Sequence, residues 1–117
     1  MKDEISQLLD SIKLVSTAHG TGLKQAFLSN ADTSTNVTQF AYGKLKPGEG
    51  YGKHINPTMD EYFFFLKGKG ECWINGDNID LKPNNFLRIP SIMEHFLIKN
   101  GNENIKFVYF GVSINDT

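Results

Sequence analysis

Apolar side chains recur along this chain with two different periods. Over residues 3–14, Ile5, Leu8, Leu9 and Ile12 fall at intervals of three and four, which is one stripe of a helix. Asp3 stands where an N-cap belongs, so the pattern predicts a short helix. A helix of roughly three turns is marginal alone and must pack on the body of the domain or on a second chain. After residue 20 the period shortens. Segments rich in Phe, Tyr, Val and Ile alternate with Gly, Pro, Asn and Asp, and they predict strands near 23–29, 37–46, 51–56, 61–67, 70–75, 78–81, 86–89, 94–99 and 104–113.

Turn residues separate these segments. Asn75-Gly76, between Cys72–Asn75 and Asn78–Leu81, is a strong hairpin signal. Lys46-Pro47-Gly48-Glu49-Gly50, Lys67-Gly68-Lys69-Gly70 and Lys82-Pro83-Asn84-Asn85 read as turns. Many short strands with almost no helix imply an all-β sandwich or barrel. In the last strand, Ile105, Phe107, Tyr109 and Gly111 share one face, and Lys106, Val108, Phe110 and Val112 share the other. Both faces carry apolar groups, so the strand is expected to be buried on both sides, one of them under a helix or a partner subunit.

Composition sets the bounds. With 117 residues and 13.2 kDa the chain is one domain, divided into an N-terminal helix and connection (1–22) and a β-barrel (23–117). Apolar residues at 39% and charged residues at 21% exclude disorder, and eleven glycines without period exclude a collagen-like repeat. Twelve basic and thirteen acidic side chains leave a net charge of −1, so neither nucleic acid nor an anionic membrane is an expected partner. Cys72 is the single cysteine, which excludes an internal disulfide and a cysteine-based zinc site. The N-terminus carries no apolar run of signal-peptide length, and Tyr62–Leu66, the longest apolar run, is too short to span a bilayer. The expectation is a soluble, cytoplasmic protein with a small-molecule ligand.

Candidate chemistry gathers around two histidines. On a strand, His54 and Asn56 project to the same face, and Glu61 opens the next strand after the Pro57–Asp60 turn. His95 opens another strand after Pro90. Two imidazoles and a carboxylate converging from three strands would form a facial metal site with open positions, although spacing alone does not establish that these groups meet. His19 lies in a glycine-bounded connection and reads as a surface residue. Alternation sends Phe63 and Phe65 to the Glu61 face and Phe64 to the other, with core packing as their first role and a pocket wall as the second. Tyr51, Arg88 and Trp73 are within the reach of ligand chemistry but are also common on exposed strands. Cys72 reads as a small buried hydrophobe, and Lys67 and Lys69 as solvated turn residues.

The stretch from Gly48 resembles the first motif of the cupin family: Gly, five residues, His-x-His, then Glu, six residues and Gly. Gly48, His54, Glu61 and Gly68 keep that spacing. The second motif is matched more loosely: Pro90 and His95 keep their separation, Asn84 and Ile92 replace two glycines, and Lys99 replaces an asparagine. The resemblance runs from about residue 37 to 112. It implies a single-domain jelly-roll (double-stranded β-helix) barrel holding one divalent metal, Zn, Ni, Fe or Mn. The implied ligands are His54, Glu61 and His95, with Asn56 where the family usually has its second histidine. An amide oxygen is a harder and weaker donor than imidazole. Asn56 therefore ligates weakly, yields its place to water, or marks a site that has lost its metal and uses bare histidine and carboxylate as acid–base groups. Tyr51, Phe63, Phe65 and Arg88 are the candidate substrate pocket. The resemblance further implies a homodimer and isomerase- or epimerase-type chemistry on a sugar derivative. The alternatives are a non-catalytic ligand-binding or sensing cupin and an oxygen-dependent dioxygenase.

Overall fold

Asn75 and Gly76 both adopt positive φ, 48° and 97°, the pair of left-handed residues that a type I′ turn requires. Ile74 and Asp77 face each other across it, so the hairpin expected there forms. A computed structural model describes residues 5–17, 22–98 and 102–114, leaving out the side chains of 51–54 and 96–98. Its strands are β1 (Val15–Ser16), β2 (Leu23–Ser29), β3 (Val37–Leu45), β4 (Tyr51–His54), β5 (Met59–Lys67), β6 (Gly70–Ile74), β7 (Asp77–Leu81), β8 (Phe86–Ile89), β9 (His95–Ile98) and β10 (Ile105–Ser113). Nine match the expected strands to within two residues; β1 is an addition. Short 3₁₀ turns occupy Leu9–Ser11 and Asn30–Asp32.

The strands form two antiparallel sheets, one ordered β1-β2-β3-β10-β5-β8 and the other β4-β9-β6-β7. This is the all-β, two-sheet architecture that the strand pattern predicts. Strict alternation places Phe63, Phe65, Leu87, Ile89, Ile105, Phe107 and Tyr109 inside, in one core with Ala41, Leu45, Cys72, Ile74 and Leu81. The ring of Phe63 stacks on Phe65 at 6.0 Å and on Tyr109 at 5.4 Å, and Phe65 meets Phe107 at 5.4 Å. Each such pair adds about 0.5–1.5 kcal/mol beyond the area it buries. Gly43 lies opposite Phe107 in the β3–β10 register, and a Cβ there would sit 2.5 Å from the Phe107 ring. Glycine at this position makes room for the aromatic core.

One expectation is corrected. Of the helix expected over residues 3–14, residues 3 and 4 lie outside the described residues, and residues 6–14 contain only the 3₁₀ turn at Leu9–Ser11. The carbonyls of Leu9 and Ile12 accept hydrogen bonds from the Gln25 side chain at 2.9 and 3.0 Å, and the Gln7 side chain donates to the Phe27 carbonyl at 2.9 Å. The segment is thus tied to β2 by polar side chains, while Ile5 and Leu8 remain exposed. A short helix without a buried face cannot offset its nucleation cost. In β10 of the single chain, the face bearing Ile105, Phe107 and Tyr109 is buried, and Lys106, Val108, Phe110 and Val112 on the other face are half-buried, with no helix of the described residues over them. No helix of the described residues is long and apolar enough to cross a membrane.

Candidate functional site

Glu61 sits on the inward-facing side of β5, opposite Gly111 of β10 and Ile89 of β8. His95 opens β9 in the other sheet, between Ile74 of β6 and His54 of β4. Strand parity turns both side chains inward, and Glu61 Oε1 lies 3.6 Å from His95 Nε2. The pair spans the two sheets, and both residues are buried.

A hydrogen bond orients the imidazole. His95 Nδ1 lies 2.9 Å from the Met93 carbonyl, and since a carbonyl only accepts, Nδ1 carries the proton. In the neutral ring this leaves the Nε2 lone pair facing Glu61. Burial pushes the His95 pKa down, but the Glu61 hydrogen bond, the Met93 carbonyl and the Glu61 charge outweigh it, and the net shift is upward.

The turn before His95 is held from two sides. The Ser91 N–H donates to Asp60 Oδ1 at 2.8 Å, and the Ile92 N–H donates to the Asn56 carbonyl at 3.0 Å. Within the turn, Met93 N–H reaches Pro90 O at 3.4 Å. Asn84 and Ile92, at the two positions where the second motif has glycine, both adopt positive φ, 72° and 63°. The backbone conformation is kept although the residue type is not.

The remaining candidates fall in different places. The side chains of His54 and Tyr51, and His19 entirely, lie outside the described residues. Asn56 Oδ1 accepts hydrogen bonds from the Thr58 N–H and hydroxyl, each at 3.4 Å. Phe63 and Phe65 are core residues beside Glu61 on β5. Arg88 alternates with the buried Leu87 and Ile89, so it stands on the outer face, where it pairs with Asp60 at 3.2 Å. Cys72 is buried, and burial pushes its thiol up to about 12.

Tyr109 was not singled out by the motif. It is buried on the inner face of β10, opposite Phe63, and burial together with the Glu61 charge pushes its phenol up to about 12. Parity alone places it inside; its proximity to Glu61 depends on the β5–β10 register.

The donor set suits a divalent ion. Two ligands each about 2.1 Å from one ion and roughly 110–120° apart around it lie about 3.5 Å from each other, close to the Glu61–His95 separation. A histidine whose second nitrogen is held by a carbonyl is the usual form of a metal-binding imidazole. Among the described residues, no three histidine, cysteine, aspartate or glutamate side chains form a cluster.

Comparison with known proteins identifies the family and the fold. A family model described as a cupin domain matches residues 41–111. A polyketide synthase protein, CurC of Streptomyces cyaneus, is 28% identical over 65 residues, which cover 56% of this chain and 42% of that protein. Among solved structures, a predicted oxalate decarboxylase from Thermotoga maritima superposes with a TM-score of 0.83 at 22% identity, covering 93% of this chain and 99% of the other. KdgF from Halomonas sp. gives a TM-score of 0.73 at 12% identity, with 90% and 92% covered. These structural likenesses concern the fold.

Proposed function

The chain belongs to the cupin family, and from that premise we propose that it is a metal-binding cupin acting on a small polar substrate, such as a sugar derivative, by isomerase- or epimerase-type chemistry. The observation that carries this reading is the buried Glu61–His95 pair with its Nε2 lone pair held inward by the Met93 carbonyl. The ligands are His54, Glu61 and His95. Asn56 stands as a fourth and weaker position, its amide oxygen accepting only long hydrogen bonds of 3.4 Å from Thr58. A zinc, nickel, iron or manganese ion bound there would polarise a substrate carbonyl or hydroxyl.

The chain's own groups have distinct parts. Tyr109 keeps its phenolic proton across the physiological range, since its pKa is about 12, and can donate a hydrogen bond to a substrate oxygen. Phe63 and Phe65 supply a dry wall beside Glu61, which strengthens every polar contact made there. Few polar groups within an apolar lining select a small ligand by its oxygens.

Metal content tests the reading. Protein purified without chelator and supplemented with the four metals should approach one ion per chain, and His95→Ala or Glu61→Gln should abolish retention. Near-zero metal in the unaltered protein overturns the ligand assignment, whatever activity is found.

A further inference from the structure

The inner face of β2 carries a lysine. Lys24 is in register with Gly43 of β3, where a Cβ would point at the Phe107 ring in the core, so Lys24 stands on the same inward face. Gln39 shares that face, two residues along β3 from the buried Ala41. Lys24 Nζ donates to Gln39 Oε1 at 2.9 Å. The two side chains meet by running towards each other along the face, over Ala26 and Ala41, which are paired in register and small enough to leave the room. The other described cations of the strands lie elsewhere. Lys44 and Lys106 pair on the outer face, Arg88 is held there by Asp60, and Lys67 is exposed at the end of β5.

The Lys24–Gln39 pair offers donors only. An ammonium has no acceptor, so the Gln39 oxygen faces it, and the amide NH2 and the other Nζ hydrogens stay available. Among the described residues no carboxylate pairs with Lys24, and a half-buried charge with a neutral partner is under-compensated. Gln39 stands in one register row with Gly111 of β10 and Glu61 of β5. That row spans two inter-strand steps, about 10 Å between backbones. Over Gly111 in its middle, the Thr38 hydroxyl and the Met59 sulfur fill the place of a Cβ. Tyr109, opposite Ala41 in the next row, lies between the ammonium and the Glu61 carboxylate.

We propose that Lys24 and Gln39 bind a carboxylate of the ligand, which is then a small oxo- or hydroxycarboxylic acid whose carbonyl or hydroxyl oxygen reaches Glu61 and His95. This rests on the reading of Glu61 and His95 as the reacting end of the site. One ammonium and one amide match the single charge of a carboxylate through charge-assisted hydrogen bonds. A phosphate carries about one charge more than this subsite neutralises. The separation suits a molecule of about three to six carbons, with its acid at β2 and β3 and its reacting oxygen at β5.

Thermal shift and isothermal titration test the proposal. Pyruvate, gluconate and galacturonate are compared with their neutral counterparts pyruvamide, sorbitol and galactose, and galactose 6-phosphate supplies a phosphate arm. At least one acid should raise Tm saturably and bind about tenfold or more tighter than its counterpart. Lys24→Met, which keeps an apolar stem, should remove that preference, and Gln39→Leu should reduce it. Lys24→Arg should keep most of it, and Lys106→Met on the outer face should leave it unchanged. Melts without ligand identify any variant that fails to fold. Metal content is read separately and should be the same in Lys24→Met as in the unaltered protein. Failure to hold metal therefore sinks the ligand assignment while an acid preference that depends on Lys24 still stands. Binding of no acid, acids and neutral counterparts binding alike, a preference unmoved by Lys24→Met, or galactose 6-phosphate binding tighter than galacturonate overturns the carboxylate subsite.

Discussion

Asp60 and Ser91, 31 residues apart in the chain, are joined by a 2.8 Å hydrogen bond from the Ser91 N–H to Asp60 Oδ1. Asp60 Oδ2 accepts from Arg88 at 3.2 Å. The Ser91 N–H, against a smaller burial effect and with Arg88 assisting, holds the Asp60 carboxyl below its usual range. On β5, Asp60 grips the outside of the turn whose far end carries His95, while its neighbour Glu61 faces His95 inside.

Asp60→Ala should therefore loosen the turn and weaken metal retention by up to about tenfold, the lower end for residues acting behind a ligand. Asp60→Asn keeps an oxygen acceptor for Ser91 and should restore most of it. Titration with a competing chelator reads both variants. Equal weakening by the two would show that the carboxylate charge, not the hydrogen bond, matters.

Ile92 is a β-branched residue at φ 63°, with its side chain 71% exposed. The left-handed conformation costs about 1–2 kcal/mol for such a residue, and glycine removes that cost while adding about 0.5–1 kcal/mol of chain entropy. Ile92→Gly should raise stability by about 0.5–1 kcal/mol, or a few degrees in Tm. A lower Tm would mean that the isoleucine side chain makes a stabilising contact larger than its strain.

Cys72 should be chemically silent in the folded protein. Its thiol is raised from 9.0 to about 12 by burial, so at pH 8 the thiolate is about a thousandfold scarcer than in the unfolded chain. Alkylation at pH 8 should be slow in native protein and fast in denaturant. A raised thiol pKa means that the folded state holds the proton more tightly. The associated stability is fully present below the unfolded value near 9 and is lost as pH rises towards 12. Rapid native labelling would contradict this.

The barrel was largely legible because its signals are local. Alternation in Ile105–Val112 and the Asn75-Gly76 pair each determine structure within a few residues, and both appear as read. The spacing of Gly48, His54, Glu61 and Gly68 likewise places motif residues on successive strands. The N-terminal stripe misled because Ile5 and Leu8 have a helical period but stay exposed, and the Gln25 side chain takes the Leu9 and Ile12 carbonyls. Tyr109, Met93 and the Asp60–Ser91 contact were invisible for another reason. Each depends on which residues of distant strands stand opposite one another, and that register is fixed only by the assembled sheets.

The central place of β10 bears on how the domain is made. Because residues 105–113 lie between β3 and β5, a growing chain that has not yet extended beyond the β9 region has a gap down the middle of its larger sheet, with two hydrogen-bonding edges waiting. The barrel closes only when this segment is threaded in. Emergence from the ribosome, rather than any earlier hairpin, then sets the moment at which the domain becomes safe from sticking to its neighbours.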